Sequence, residues 1–186
     1  MKSAIRRGIT GRVVLLLVVT VIAMAPTAAS AADQAFMLIP GIPGGSQATG
    51  RAGWIDVLAF SGGATAPATS ASPAPPMQLA PQPCQISVVK QLDIAGPRLW
   101  AATATGQTFN SIHIVVTAPT GGSPLVIYDI LLTNAQITSI GDSGSAGGTT
   151  PTVNMTLKAT NVSLTFTPQN PDGSAGTPVT TSFACN

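Results

Sequence analysis

The chain has 186 residues, 45% of them hydrophobic and only 8% charged, with no glutamate; that balance excludes a charge-rich disordered polypeptide and a coiled coil. Four of its eight basic residues, Lys2, Arg6, Arg7 and Arg12, sit at the extreme N-terminus. The remainder sets four basic residues against six aspartates, a formal charge of −2, which removes the electrostatic footprint of a nucleic-acid binder.

Those N-terminal basic residues precede an apolar run from Val13 to Ala25, after which Pro26 and small residues lead to Ala29-Ser30-Ala31. This is the three-part grammar of an export signal, so residues 1–31 are expected to be cleaved near Ala31, leaving 32–186 as one domain in a secreted or periplasmic setting. The apolar run falls short of the roughly 20 residues an ordinary spanning helix needs, so no permanent membrane span is expected. The Arg6-Arg7 pair resembles a twin-arginine signal, but Ile5 stands where Ser or Thr is usual, and general secretory export fits better. An oxidising compartment allows the two cysteines, Cys84 and Cys185, to pair. In the chain-entropy model, closing a loop of about 100 residues removes on the order of 4 to 5 kcal/mol of unfolded-state freedom.

From Ala35 the sequence reads as short apolar runs punctuated by Gly, Pro and Thr, the pattern of an all-β domain. Trp54 to Phe60, Ile112 to Val116 and Leu125 to Leu132 are apolar on both faces, which predicts a core on one side and a second covered surface, such as a partner subunit, on the other. Between them, residues 61–83 are rich in Ala, Pro, Ser and Thr and read as a long flexible excursion, and Gly141 to Pro151 reads as a Gly and Ser loop. One short helix is predicted, with Gly96 and Pro97 at its start, Arg98 to Thr105 following and Gly106 closing it. In the last long run Val153, Met155, Leu157 and Ala159 alternate with polar residues, and Val162, Leu164 and Phe166 continue one residue out of phase. A bulge near Thr160 and Asn161 reconciles the phases and bends the strand, as strands bend when a sheet curls toward a barrel.

No constellation for chemistry stands out. Gly141-Asp142-Ser143-Gly144 resembles the segment around a protease serine nucleophile, and His113, Asp129 and Ser143 occur in the matching order. A triad needs the three groups within hydrogen-bond reach, and His113 lies inside an apolar strand. Asp142-Ser143-Gly144 also matches the aspartic-protease triplet but has no partner carboxylate at a paired spacing. One histidine and two cysteines give no metal set, and no phosphate-cradling glycine loop occurs, so no catalytic residue, metal or cofactor is expected. Asn154-Met155-Thr156 and Asn161-Val162-Ser163 are formal glycosylation acceptors, but both fall in the best strand run. Trp54, Val57, Trp100 and Tyr128 are the candidate core or oligomer-interface anchors.

Taken in order, several segments resemble the Hcp tube-protein family of type VI secretion systems. Phe36 to Ser46 is similar to its opening strand and Gly-Ile-x-Gly-x-Ser turn, and Gly53 to Ser61 to its Gly-x-Ile-Asp-Val-Leu-x-x-Ser stretch. Val89 to Leu99 resembles its Lys-x-x-Asp-x-x-Ser-Pro-x-Leu lead into a helix; Tyr128-Asp129-Ile130, Phe166-Thr167-Pro168-Gln169 and Asp172-Gly173-Ser174 continue the series. The resemblance implies two antiparallel sheets curled into a β-barrel with one short flanking helix, and a non-enzymatic subunit that assembles as a homo-oligomer. Six-membered rings, tubes, effector cargo and other secretion-system components are the partners it implies. The leader and the cysteine pair set this chain apart from the family's cytoplasmic members. The alternative is a monomeric secreted barrel that binds a glycan or peptide, with Trp54 as its platform; a hydrolase ranks behind both.

Overall fold

The computed structural model describes residues 32–63, 84–120, 122–145, 147–148 and 150–185. The leader at 1–31 and most of the 61–83 excursion lie outside the described residues. The strands are β1 (Gln34–Leu38), β2 (Ile55–Gly63), β3 (Cys84–Gln91), β4 (Thr108–Ala118), β5 (Leu125–Ser143), β6 (Thr152–Ala159), β7 (Asn161–Phe166) and β8 (Val179–Ala184), with α1 (Gly96–Ala104) between β3 and β4.

The strands form one antiparallel sheet in the order β4-β1-β2-β3-β6-β5-β7-β8, and a further β4–β5 ladder joins the first strand of that order to the sixth. Six strands therefore close a barrel, and β7 and β8 extend from it. The 19-residue β5 makes this possible. Its first part pairs with β4, and along its other edge it runs against β7 and then β6, which are separated only by Thr160. The phase switch expected near Thr160 is present: Val153, Met155, Leu157 and Ala159 point into the core, and Val162 resumes the inward face two residues after the break. Asn134 answers it on β5, adopting φ of 48° where the inward residues change from Ile130 and Leu132 to Ala135 and Ile137. Thr160 donates its backbone N–H to the Thr133 carbonyl at 3.1 Å, so both strands bend at one level. The expected one-sided bulge is absent, because β5 keeps one register across the break, with Thr133 opposite Asn161 and Gln136 opposite Lys158; the two strands switch faces together, and that shared irregularity turns the corner between barrel wall and extension.

The barrel is filled by Met37, Ile55, Val88, Ile112, Ile114, Leu157 and their neighbours. The outer face of β1 and β4 is also closed, because Phe36, Val115 and Thr117 are buried although they point away from that filling. The chain's own turn at Ala48–Arg51 shares a cleft with Phe36 and Thr117, so part of the second covered surface expected from the sequence is covered internally.

Three boundaries differ from the sequence expectation. Ser61, Gly62 and Gly63 continue β2 because they pair with Ser87, Ile86 and Gln85. Gly141 to Ser143 belong to β5, held by Asn154, Val153 and Thr152. The helix N-cap is Ala95 rather than Gly96; Pro97 stands in its first turn, and Gly106, at φ of 64°, closes it. Gly96 has a packing role instead, since an added Cβ would lie 2.9 Å from Leu92 Cδ1.

Candidate interaction surfaces

The inward face of β3 reads Ile86, Val88, Lys90, so a lysine stands where a third aliphatic residue would. Lys90 is 0% exposed. Its Nζ donates to Asp93 Oδ1 at 2.6 Å and to the Gln91 carbonyl at 2.5 Å. Asp93 then spends its remaining lone pairs on backbone: Oδ1 accepts the Ala95 N–H and Oδ2 the Gly45 N–H, each at 3.0 Å. A buried charge is tolerated only when paired and hydrogen-bonded in this way. The Lys-x-x-Asp spacing thus fixes three things at once: the end of β3, the start of α1 and the first turn.

That turn is itself tightly specified. Gly44 donates to the Gly53 carbonyl at 2.8 Å, and Ser46 to that of Trp54 at 3.0 Å. A Cβ on Gly44 would stand 2.2 Å from the Trp54 carbonyl oxygen, so only glycine fits there. Ser46 is fully buried, Ile42 is buried in the core and Gly41 takes φ of 82°, which accounts for the remaining letters of the Gly-Ile-x-Gly-x-Ser pattern.

The four anchor candidates separate. Val57 lies in the core, and Tyr128 packs against it while lining a cleft of about 290 Å³ between the β2–β3 end of the barrel and the β7–β8 extension. Trp54 is half-buried with the Arg51 guanidinium 4.6 Å above its ring. Trp100 is 46% exposed on α1, its Nε1 donating to Asp142 Oδ2 at 3.1 Å. In the segment that leads into α1, Leu92 and Ile94 are bare, the latter 67% exposed; Leu58 on β2 and Phe166, Val179 and Phe183 on the extension are exposed as well.

Cys84 and Cys185 are joined by a disulfide. Cys84 begins β3 opposite Ala159, and Cys185 follows β8 with its N–H on the Thr160 carbonyl at 2.7 Å. The bond therefore crosses the corner at which the edge of the long β6–β7 strand changes partner from β3 to β8.

The suspected triad does not assemble. His113 Nδ1 faces Asp129 Oδ1 at 3.6 Å across β4 and β5, beyond hydrogen-bond range, and that oxygen is buried without a hydrogen-bond partner. Ser143 lies fourteen residues farther along β5, opposite Thr152. Asp142 is occupied by Trp100. Among the described residues no group of three His, Cys, Asp or Glu could hold a metal, and no helix is long and apolar enough to cross a membrane.

Residues 36–167 match a family model described as type VI secretion system effector, Hcp. Among curated proteins the comparison finds no match. The solved structure of a type six secretion system protein superposes with a TM-score of 0.72 at 22% identity, over 82% of this chain and 96% of that one. Hcp1 from Salmonella typhimurium gives 0.64 at 20% identity, over 83% and 95%. A type VI secretion system effector from Yersinia pestis gives 0.59 at 20% identity, over 81% and 98%. At these identities the superpositions speak for the barrel and its extension, which together span nearly the whole of each structure.

Proposed function

We propose a function from one premise: the chain belongs to the Hcp family of type VI secretion proteins. It is a structural subunit of the tube-forming kind, and that membership displaces the monomeric glycan- or peptide-binding module. The finer reading is that the leaderless chain, exported and oxidised, assembles into rings of six, as the family resemblance implies, with effectors or other secretion components as partners. The leader's grammar and the Cys84–Cys185 bond support a compartment outside the cytoplasm.

The observation that carries this reading is the placement of bare apolar side chains on a barrel that is otherwise closed. Leu58 on the wall, Leu92, Ile94 and Trp100 beside the helix, and Phe166, Val179 and Phe183 on the extension lie in separate regions. A ring subunit needs two different surfaces for its two neighbours, whereas a monomer gains nothing by leaving several uncovered. Weak net charge lowers the repulsion between identical copies. Electron micrographs and light scattering of the leaderless, oxidised protein test it. Annular particles of six copies are expected; a monomer at high micromolar concentration, with no rings on the grid, would remove the reading.

A further inference from the structure

The turn at Ala48–Arg51 closes over the outer face of β1 and β4 and leaves a cleft of about 400 Å³. Its walls include Phe36, Thr49, Arg51, Thr117, Ser123 and Pro124. Arg51 is held in place on two sides: its guanidinium lies over the Trp54 ring at 4.6 Å, and Nη1 donates to the Gly50 carbonyl at 3.0 Å. Stacking on an aromatic face fixes the plane of a guanidinium and leaves its edge free for bonds in that plane. Yet Nε is buried and has no hydrogen-bond partner. An orphaned buried N–H on a charged group calls for an acceptor. Among the described residues the ion-paired carboxylates are Asp93 and Asp129, and Arg51 reaches neither.

We propose that this cleft is a carboxylate-binding site, shaped for an acid group carried on a short apolar stem. The charge selects the class. Among the described residues Arg51 is the only cation lining the cleft, so one negative charge balances it and a phosphate dianion would be left half-compensated. The guanidinium edge matches the two oxygens of a carboxylate. The hydroxyls of Thr49 and Ser123 stand on the same walls as further donors, while Thr117 Oγ1 already donates to the Gln34 carbonyl at 3.3 Å. Phe36 and Pro124 supply the apolar surface that the stem would cover.

The acid can come from a free small molecule or from an aspartate or C-terminus of a second copy, and one titration separates them. The leaderless protein has two arginines, Arg51 and Arg98, so the Arg51 Nε–H resonance is assigned by an Arg51→Lys variant. Oxidised protein is titrated at constant ionic strength with sodium butyrate and, separately, with neutral butyramide. The expected result is a saturable downfield shift of that resonance with butyrate alone, and binding at least tenfold weaker in Arg51→Gln. Should butyrate do nothing while the resonance moves downfield as the protein is concentrated, the carboxylate is a second copy's and the site stands. A resonance indifferent to both, an equal response to butyramide, or undiminished binding in Arg51→Gln overturns it. The butyrate and butyramide comparison uses the unsubstituted protein, so the test holds even if Arg51→Gln misfolds.

Discussion

The barrel and the β7–β8 extension belong to one antiparallel sheet but are held by different means. Every barrel strand has a ladder on each side, and its inward residues are almost all buried. β8 has β7 alone, and all six of its residues are exposed. Closure removes the sheet edge and buries one face in a single stroke. The extension has neither advantage, so its position depends on the ladder to β7 and on the one covalent bond at its end. A free uncharged edge is also the kind of surface that a neighbouring chain can pair with.

Breaking that bond should produce the largest effect. A Cys84→Ser/Cys185→Ser variant is expected to lose about 4 to 5 kcal/mol of unfolding free energy, since the bond closes a loop of 101 residues. Denaturant unfolding measures the loss, and hydrogen exchange locates it. Amides of β8 should exchange freely, whereas those of β3 and β6 should lose only as much protection as the fall in global stability requires. If protection falls equally in all three strands, barrel and extension are one cooperative unit and the contrast between them fails.

A smaller loss is expected inside the barrel from Asp93→Ala. It leaves the buried Lys90 ammonium without its counter-charge and frees the N–H groups of Gly45 and Ala95. Stranding one member of a buried pair costs roughly 3 to 5 kcal/mol, and the lower half of that range is expected because the Asp93 side chain is 20% exposed. Both tryptophans should respond in the folded state, Trp54 through the first turn and Trp100 through the helix. A change confined to Trp100 would mean that the turn stands without the aspartate. The β8 amides, in contrast with the disulfide variant, should exchange as before.

The same contrast governs what could be read from the sequence. The bend at Thr160 was legible because β6 and β7 each keep strict alternation on either side of it. Its counterpart at Asn134 was not, since Leu125 to Leu132 is apolar on both faces and hides any change of phase. Composition misassigned Gly141 to Ser143 and Ser61 to Gly63 as loop: glycine and serine signal turns locally, but here partner strands extend the ladders through them. The buried Lys90 was legible only as one letter of a family pattern, because lysine alone predicts exposure. Nothing pointed to Arg51, whose interest comes from a cleft formed by residues far apart in the chain. The doubly apolar strands announced a second covered face without naming its cover, which for Val115 is internal and for Leu58 is absent from the single chain.

The smallest effect belongs to the extension, in the connection between β7 and β8. Asp172 accepts the Ser174 hydroxyl at 2.6 Å and the Ser174 N–H at 2.9 Å. The hydroxyl contributes most and the N–H less to holding its carboxyl below the ordinary aspartate pKa. A depressed folded-state pKa means that the proton binds the unfolded chain more readily. The resulting stabilisation is complete above the ordinary aspartate value and disappears as pH falls through the lower folded one. Because the carboxylate is fully exposed, solvent screens the interaction and the effect on global stability should be slight. Its local signature should be clear: in a carbon-detected titration Ser174→Ala raises the Asp172 midpoint toward the ordinary value. A midpoint unmoved by the substitution would show that the turn, rather than the serine hydroxyl, sets the acidity. Reducing the disulfide sharpens the comparison: if that bond alone positions the extension, the Asp172 midpoint should rise on reduction.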